Sequence, residues 1–338
     1  MTHMNRRHAL GLLGATAAST LAMPAIAKGT KLKVGALHFT SHSGSFIALE
    51  RGYFNDAGLD VELKFFQAAQ PMAVAIASGD IDYAVTAISG GLISLAQKGA
   101  VKVIGGALSE HKGIDGQKIL TSDKAFQAGA KAPGDLDGKV FGMTTAGSSF
   151  HYMGSKVAAA ENISMTFKPL QKVGAVIGAL KSGQIDAWSI VPHIAKPLAK
   201  SGAVHIIGNI SDYIPDYQVT TVFTSTKHAE EDKDMTKAFL AGYSKGAADY
   251  DDTMIDKKHG EDGVKAMVDL IHKYVYADRP IEKAAPGIIN GTMMLNRDAA
   301  LNMGSVKDQL DWFKAEKLVH DDVTIDQLVD TSYVKTMG

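Results

Sequence analysis

One short phrase occurs twice in this chain, and it constrains the fold more than any other feature. Ser-Gly-x-Ile-Asp, followed by apolar residues, stands in IASGDIDYA (76–84) and again in LKSGQIDAW (180–188), 104 positions later (182 − 78). A second pair of landmarks, Ser45-Phe46 and Ser149-Phe150, has the same separation. Two pairs of landmarks at one spacing predict two structural units of the same design.

Strand-like and helix-like segments alternate on both sides of this repeat. KLKVGAL (31–37), DVELKFF (60–66), IDYAVTA (81–87) and VKVIGGAL (101–108) are typical of strands, and GKVFGMT (138–144) begins the same order again. Strands that alternate with helices at this rhythm form βαβ units and parallel sheets. The predicted fold class is α/β, with two Rossmann-like lobes of mixed, mainly parallel sheets. A two-segment hinge joins them, and a ligand cleft lies between them.

The hinge is predicted where the chain passes from one lobe to the other. KILTSD (118–123) and QVTTVFTST (218–226) are the expected crossings, and from about 228 the sequence becomes a series of amphipathic helices that return to one lobe. The predicted division of the chain is a signal peptide at 1–27, lobe 1 at 28–115 and 226–338, and lobe 2 at 116–225.

The first residues have the layout of an export signal. Arg6 and Arg7 precede a weakly apolar stretch that ends in Ala25-Ile26-Ala27, a small-x-small cleavage site. The adjacent arginines resemble a twin-arginine signal, and an ordinary secretory signal is the alternative. Both interpretations predict export and cleavage near Ala27.

Composition excludes several classes of protein. The chain of 338 residues has no cysteine, so disulfides, thiolate metal sites, cysteine nucleophiles and a lipid-modified cysteine are excluded. A net charge of −1 argues against a nucleic-acid partner. The sequence has no G-x-S-x-G elbow, phosphate loop or H-E-x-x-H motif. We therefore expect no catalytic residue, no metal and no cofactor.

Four loops follow strands and are the candidate ligand contacts. They are HFTSHSG (38–44), TAISGG (86–91), TTAGSSFHY (144–152) and SIVPHI (189–194). In open α/β sheets, ligands bind beyond the carboxyl ends of the strands. Three of the loops place Ser, Thr and Gly before a helix, so that free backbone N–H groups favour an anion. Plain N-capping is the alternative explanation for any one of them.

Histidines are the other feature of these loops: His38, His42, His151 and His193. One interpretation is that they bind an acid group of the ligand, some in the charged form. A metal site is the weaker interpretation, because no carboxylate accompanies His38 and His42 in the sequence. No arginine lies in the four loops, so the sequence does not predict a bidentate arginine clamp.

Three segments resemble a known family. GSFIALERGYFNDAGLDVEL, with Gly52-Tyr53-Phe54 leading to Val61, and SGDIDYAVT, with Gly79 to Asp82, are similar to the N-terminal lobe of periplasmic substrate-binding proteins of ABC importers. GKVFGMTTAGSSFHYM is similar to the start of the second lobe in the branch that binds taurine, alkanesulfonates and thiamine pyrimidines. The resemblance implies a periplasmic, monomeric, hinge-closing binder without enzymatic activity. Its partners would be a small-molecule ligand and an ABC permease in the inner membrane.

The resemblance also places ligand contacts on the loops. The positions that correspond are Ser41, His42, Ser43, Ser89, Thr145, Gly147, Ser148, Ser149, His151 and His193. Phe39 and Tyr217 are expected as apolar walls. The fourth loop lacks the acid that holds an amine in many relatives, so taurine is disfavoured. A small organic anion, either an aromatic carboxylate or a sulfonate, is the favoured ligand.

Two alternatives remain open at this stage. The first is a binder of a thiamine precursor or another heterocycle with the same fold. The second is a periplasmic hydrolase that uses Ser149 and His151, for which the sequence shows no nearby orienting acid.

Overall fold

Two five-stranded sheets organise the described part of the protein, residues 29–337 of a computed structural model. The predicted signal peptide, 1–27, lies outside the described residues. We call the first sheet with the helices packed on it lobe 1, and the second lobe 2. The strands are β1 Thr30–Ala36, β2 Leu59–Phe65, β3 Tyr83–Thr86, β4 Val101–Ser109, β5 Lys118–Ser122, β6 Val140–Met143, β7 Thr166–Pro169, β8 Ala187–Ile190, β9 Val204–Asn209, β10 Gln218–Ser225, β11 Leu301–Asn302 and β12 Thr336–Met337.

The two large sheets have the same strand arrangement. The order is β2-β1-β3-β10-β4 in lobe 1 and β7-β6-β8-β5-β9 in lobe 2. In each sheet the first three strands are parallel, and the fourth runs antiparallel to both of its neighbours. The predicted class, two lobes with mixed and mainly parallel sheets, is confirmed.

Helices connect the strands and cover both sheets. The α-helices are α1 Ser43–Glu50, α2 Tyr53–Asp56, α3 Ala69–Ser78, α4 Gly90–Gln97, α5 Asp123–Gln127, α6 Ser149–Glu161, α7 Val173–Lys181, α8 Pro192–Lys200, α9 Thr226–Glu230, α10 Lys233–Tyr250, α11 Gly260–His272, α12 Ile281–Ile289, α13 Met303–Ala315 and α14 Ile325–Leu328. A π-helical turn, Asp251–Ile255, follows α10. Within residues 29–337 no helix combines the length and apolarity that a membrane span requires.

The repeated phrase has the same structural role in both lobes. Its glycine ends a helix in the left-handed region, with φ of 79° at Gly79 and 67° at Gly183. Its aspartate then binds the neighbouring strand: Asp82 Oδ2 accepts from the Lys33 N–H at 2.7 Å, and Asp186 Oδ2 accepts from the Val140 N–H at 2.9 Å. The duplicated sequence therefore encodes a duplicated βαβ joint.

The isoleucine of the phrase explains two glycines elsewhere. Ile81 and Ile185 are buried against the central strands. A Cβ at Gly35 would lie 2.7 Å from Ile81 Cδ1, and one at Gly142 would lie 2.4 Å from Ile185 Cδ1. Glycine at these two positions lets the helix and the strand approach closely in each lobe.

The predicted crossing strands are wrong in detail. β5 lies wholly in the second sheet and β10 wholly in the first, where β10 pairs with β3 and β4. The chain crosses instead at 110–117 and 210–217, where the Glu110 N–H donates to Tyr217 O and the Ile210 N–H donates to Gln117 O, both at 2.9 Å. The predicted division assigned 116–225, and with it β10, to lobe 2, whereas β10 belongs to the sheet of lobe 1.

The helical segment after β1 is interrupted at a glycine. GSFIALERGYFND forms α1 and α2, separated at Gly52, whose φ of 75° is left-handed. The break turns the chain so that Phe54 is buried and stacks on Phe239 of α10, with ring centroids 5.3 Å apart. The C-terminal helices thus pack on lobe 1, as the sequence predicts.

Close packing of α10 on α1 predicts a large effect of one added methyl group. A Cβ at Gly246 would lie 2.2 Å from Gly44 O and 2.8 Å from the Ala48 N atom, so the helices must separate. We expect Gly246→Ala to lower the free energy of unfolding by about 1–3 kcal/mol. Gly178→Ala in α7 is the matched control: nothing lies within 4 Å of its Cβ, and we expect it to stabilise by about 0.5–1 kcal/mol. Urea unfolding of both variants measures the difference, and equal midpoints would contradict the packing argument.

Candidate functional site

A cavity lies between the lobes, where the carboxyl ends of parallel strands from both sheets meet. Its polar lining residues are Ser41, His42, Thr86, Gln117, Thr144, Ser148, Ser149 and Thr220. Its apolar lining residues are Leu37, Phe39, Ala68, Ala69, Ala87, Phe150, Val173, Ile190, Val191 and Val219. Aspartate, glutamate, lysine and arginine are absent from this lining. The cavity has a volume of about 50 Å³.

A larger groove of about 700 Å³ lies elsewhere, between α11 and α12 on lobe 1. Val264, Val268 and Ile281 contribute to its apolar floor, and its rim carries charged side chains of both signs. All the residues that line it belong to lobe 1. The cavity between the lobes is therefore the candidate site that the duplicated fold builds.

Five helices begin at this cavity. The lining includes the N-cap residues of α1, α3, α6 and α8, which are His42, Ala68, Ser148 and Val191, and the first residue of α7, Val173. None of the five N-cap side chains accepts a hydrogen bond from its own helix. The first N–H groups of a helix have no partner within it, and the helix dipole makes this end positive. The arrangement favours an anion in the cavity.

Unpartnered polar side chains also converge on the cavity. Ser148 Oγ and Thr220 Oγ1 are buried, and neither has a hydrogen-bond partner among the described residues. An unpaired buried polar group costs about 1–3 kcal/mol. A ligand that accepts hydrogen bonds from these two groups would remove that cost.

His42 presents a neutral N–H to the cavity. The Leu37 N–H donates to Nδ1 of His42 at 3.4 Å, so Nδ1 is unprotonated and Nε2 carries the hydrogen. Burial, with a smaller contribution from His38, lowers the pKa of His42 from 6.5 to about 3. Full burial therefore favours the neutral form of His42, because it disfavours the cation.

His193 lies beside the cavity, at the start of α8. Its ring contacts Phe39 edge-on with centroids 5.3 Å apart, and Nδ1 lies 3.0 Å from the Thr40 hydroxyl oxygen. Burial and then His42 lower the pKa of His193 to about 3. It is buried, and burial favours its neutral form.

His151 does not line the cavity. Its Nδ1 accepts a hydrogen bond from the Gly147 N–H at 3.2 Å, and its ring meets Trp312 of α13 edge-on at 5.1 Å. Burial lowers its pKa, opposed by Glu316. The side chain supports the loop before α6 from behind, and it packs this loop against a helix of lobe 1.

In the second loop, Ser89 and Gly90 use their hydrogen-bonding groups within the protein. Ser89 Oγ accepts from the Leu92 N–H at 3.2 Å and caps α4, so the plain capping interpretation is right there. The first N–H of this helix, that of Gly90, donates to Gly147 O of lobe 2 at 2.9 Å. This inter-lobe backbone hydrogen bond places Ser89 and Gly147 at the seam of the lobes, outside the cavity lining. Thr145, in the same loop as Gly147, is also outside the lining.

Two further predicted contacts lie away from the cavity. Ser43 is buried in the first turn of α1, and its hydroxyl has no partner among the described residues. Tyr217 is buried in the crossing segment against Tyr152, with ring centroids 5.2 Å apart, and its hydroxyl is likewise unpartnered. Of the twelve predicted residues, the structure brings five to the cavity lining: Phe39, Ser41, His42, Ser148 and Ser149.

Sequence reasoning missed the loops that follow β2 and β7. They supply Ala68, Ala69 and Val173, which have no polar side chain to attract notice. Their contribution is the helix N-terminus itself. The signal was present in the strand order, because β2 and β7 are parallel strands whose carboxyl ends face the same cleft.

Side-chain contacts also join the lobes at the edges of the cleft. The Tyr152 hydroxyl donates to Asp308 of α13, and Lys156 forms an ion pair with the same carboxylate at 2.8 Å. A third contact is made by the Tyr276 hydroxyl, which donates to His193 O at 2.6 Å. These side-chain contacts hold the two lobes together in addition to the main-chain hydrogen bond.

Comparison with solved structures defines the class of protein. The alkanesulfonate-binding protein SsuA from Xanthomonas axonopodis pv. citri is 16% identical, with a TM-score of 0.70 over 90% of this chain and 100% of that chain. The aliphatic sulphonate-binding SsuA from Escherichia coli is 18% identical, with a TM-score of 0.66 over 89% and 97%. The nitrate-binding NrtA from Synechocystis PCC 6803 is 14% identical, with a TM-score of 0.64 over 89% and 84%. The fold is that of two-lobe periplasmic binding proteins.

The sequence comparison identifies the family. The family profile described as NMT1/THI5 like matches residues 39–252, more than half of the chain, so this protein belongs to the NMT1/THI5-like family. Comparison with curated protein sequences gives no significant match. The resemblance stated from the sequence is confirmed.

Proposed function

We propose that this protein is a periplasmic substrate-binding protein that captures a small organic anion for uptake by an ABC transporter. The observation that carries the proposal is the convergence of five helix N-termini, from both lobes, on one buried cavity. Each helix terminus favours an anion by about 0.3–1 kcal/mol, and by up to about 2 kcal/mol when partly buried. An aromatic carboxylate or a sulfonate is the favoured class, and Phe39 and Phe150 supply aromatic walls.

The neutral lining supports an anion held without a formal counter-charge. Ser148 and Thr220 offer unpartnered side-chain donors, and His42 offers Nε2–H. A ligand carboxylate or sulfonate accepts several hydrogen bonds at once, which is what these donors and the helix N–H groups require. The absence of a carboxylate from the lining agrees with the expectation that an amine-bearing ligand such as taurine is disfavoured.

The small volume of the cavity supports hinge closure. About 50 Å³ is below the roughly 300 Å³ at which ligand pockets usually begin. We propose that the lobes open about the segments 110–117 and 210–217 to admit the ligand, and then close on it. We propose export to the periplasm, a monomer, and an inner-membrane ABC permease as the partner that receives the ligand.

A hydrolase is the weaker proposal. Ser149 lines the cavity, whereas His151 does not, and Nδ1 of His151 is occupied by the Gly147 N–H. No hydrogen bond joins Ser149 to His151 in the described part of the chain. The pair therefore lacks the base that would activate the serine hydroxyl.

A thermal-shift screen tests the proposed ligand class. Ethanesulfonate, benzenesulfonate and benzoate are compared with a hydroxymethylpyrimidine as the heterocycle and choline as a cation. At 1 mM, a ligand with a Kd of about 1 µM stabilises the folded state by about 4 kcal/mol. For a chain of this size that raises Tm by roughly 8 °C. We expect this rise for at least one anion, together with a smaller radius of gyration in X-ray scattering. A rise in Tm with the pyrimidine alone would contradict the organic-anion proposal and would favour the heterocycle as the ligand.

A further inference from the structure

We propose that the ligand carries a hydrogen-bond donor in addition to its anionic group, and that this donor binds Nε2 of His193. The inference rests on the proposed function, because it assigns a second group to the ligand of the same cavity. It starts from the hydrogen bonds around Thr40, which fix the position of the single imidazole proton.

The Thr40 hydroxyl has one hydrogen and two partners. Its oxygen lies 3.1 Å from Gly291 O and 3.0 Å from Nδ1 of His193. A carbonyl oxygen can only accept, so Thr40 donates its hydrogen to Gly291 O. The contact with His193 then requires Nδ1–H to donate to the hydroxyl oxygen. A neutral imidazole has one N–H, so Nε2 of His193 is an unprotonated acceptor.

This acceptor is buried and has no hydrogen-bond partner among the described residues. The ring lies against Phe39, which lines the cavity, and it interacts electrostatically with His42, which also lines it. A buried acceptor without a donor costs about as much as a lost hydrogen bond. A donor on the ligand is the group that would remove this cost.

The two buried histidines therefore differ in polarity. Nδ1 of His42 accepts from the Leu37 N–H, which leaves Nε2–H as a donor. His193 has the opposite tautomer and offers a lone pair. A plain carboxylate or sulfonate has acceptors only and satisfies one of the two. A hydroxyl or N–H group on the same molecule satisfies the other.

A proton taken up by His193 would be the other way to satisfy an anion. Burial and His42 lower the pKa of His193 to about 3, so the neutral form predominates at pH 7. The titratable groups beside the ring are His42 and the Tyr276 hydroxyl, and neither is an anion at neutral pH. The surroundings thus hold His193 in its neutral form.

The test uses isothermal titration calorimetry with two matched pairs of probes. Ethanesulfonate is compared with 2-hydroxyethanesulfonate, and benzoate with 3-hydroxybenzoate. In the wild type, we expect the hydroxyl member of a pair that binds to be tighter by about 10- to 100-fold. Thr40→Val removes the group that holds the proton on Nδ1, so either tautomer forms, and the preference should fall to about threefold or less. Thr40→Ser retains the hydroxyl and should keep the preference.

Each outcome separates the inference from the proposed function. Equal affinities within both pairs, or an unchanged preference in Thr40→Val, overturns the inference while the anion site stands. Repeating the titration in buffers of different protonation enthalpy counts protons, and uptake of about one proton per ligand also overturns it. If none of the four probes binds, the proposed function fails and the inference fails with it.

Discussion

Replacement of Ser149 by aspartate is expected to abolish the binding of organic anions while the protein remains folded. Ser149 is the first residue of α6 and lines the cavity. An aspartate in the first turn of a helix is favourable for the helix itself. The same carboxylate occupies the positive end of the dipole and repels an anion in the cavity. We expect a loss of at least about 100-fold in affinity by calorimetry, with Tm unchanged or slightly raised.

Ser149→Asn is the matched control, since it has the same shape without the charge. We expect it to retain saturable anion binding, with a loss of no more than about tenfold. Undiminished anion binding by Ser149→Asp would show that the cavity is not the anion site. If Ser149→Asp lost anion binding but bound a pyrimidine as the wild type does, the pyrimidine would be a ligand that does not contact the N-terminus of α6.

Replacement of Glu110 by glutamine is expected to change how stability depends on pH. It removes the contribution of Glu110, which lowers the free energy of unfolding as pH rises. Glu110 lies in the first crossing segment, fully buried, and Oε1 accepts from the Gln117 N–H at 2.9 Å. Burial raises its pKa from 4.5 to about 7. The folded state therefore holds this proton more tightly than the unfolded state, so the contribution of Glu110 to stability falls as pH rises from 4.5 to 7. The difference of about 2.5 in pKa corresponds to about 3 kcal/mol.

Urea unfolding at pH 5 and pH 8 measures this effect. Asp251 contributes in the same direction, because burial raises its pKa to about 7, whereas the lowered pKa values of His42 and His193 make stability rise with pH. The effect of Glu110 is therefore the difference in free energy of unfolding between the wild type and Glu110→Gln, which should fall by about 2–3 kcal/mol from pH 5 to pH 8. Glu231→Gln, at an exposed glutamate, is the control and should leave the pH dependence as in the wild type. An unchanged pH dependence in Glu110→Gln would show that Glu110 has an ordinary pKa in the folded protein.

The repeat in the sequence was sufficient to predict the fold class, because it encodes local chemistry. A left-handed glycine, a buried isoleucine and an aspartate bound to the next strand act within one βαβ unit, so they appear as a contiguous phrase. The placement of β5 and β10 could not be read in this way. Both strands pair with partners distant in sequence, and the alternation of apolar residues does not say which sheet they join.

The candidate site was predicted in outline but not in detail. Strand ends before helices predicted the right edge of each sheet, and Ser148, Ser149 and His42 line the cavity. The same Ser/Gly composition in TAISGG does not form part of the anion site in this way. Ser89 caps α4 itself, and the Gly90 N–H donates to Gly147 O of lobe 2. The role of His193 depends on a hydroxyl 153 residues away, a contact that only the folded chain creates.

The hydrogen bond from the Gly90 N–H to Gly147 O has a consequence for how the two lobes are aligned. It joins the lobes through main-chain atoms, which stay the same whatever side chains surround them. Substitutions in the cavity can therefore change its lining without removing this contact. The register between the two lobes is in this sense independent of the side chains that give the cavity its chemistry.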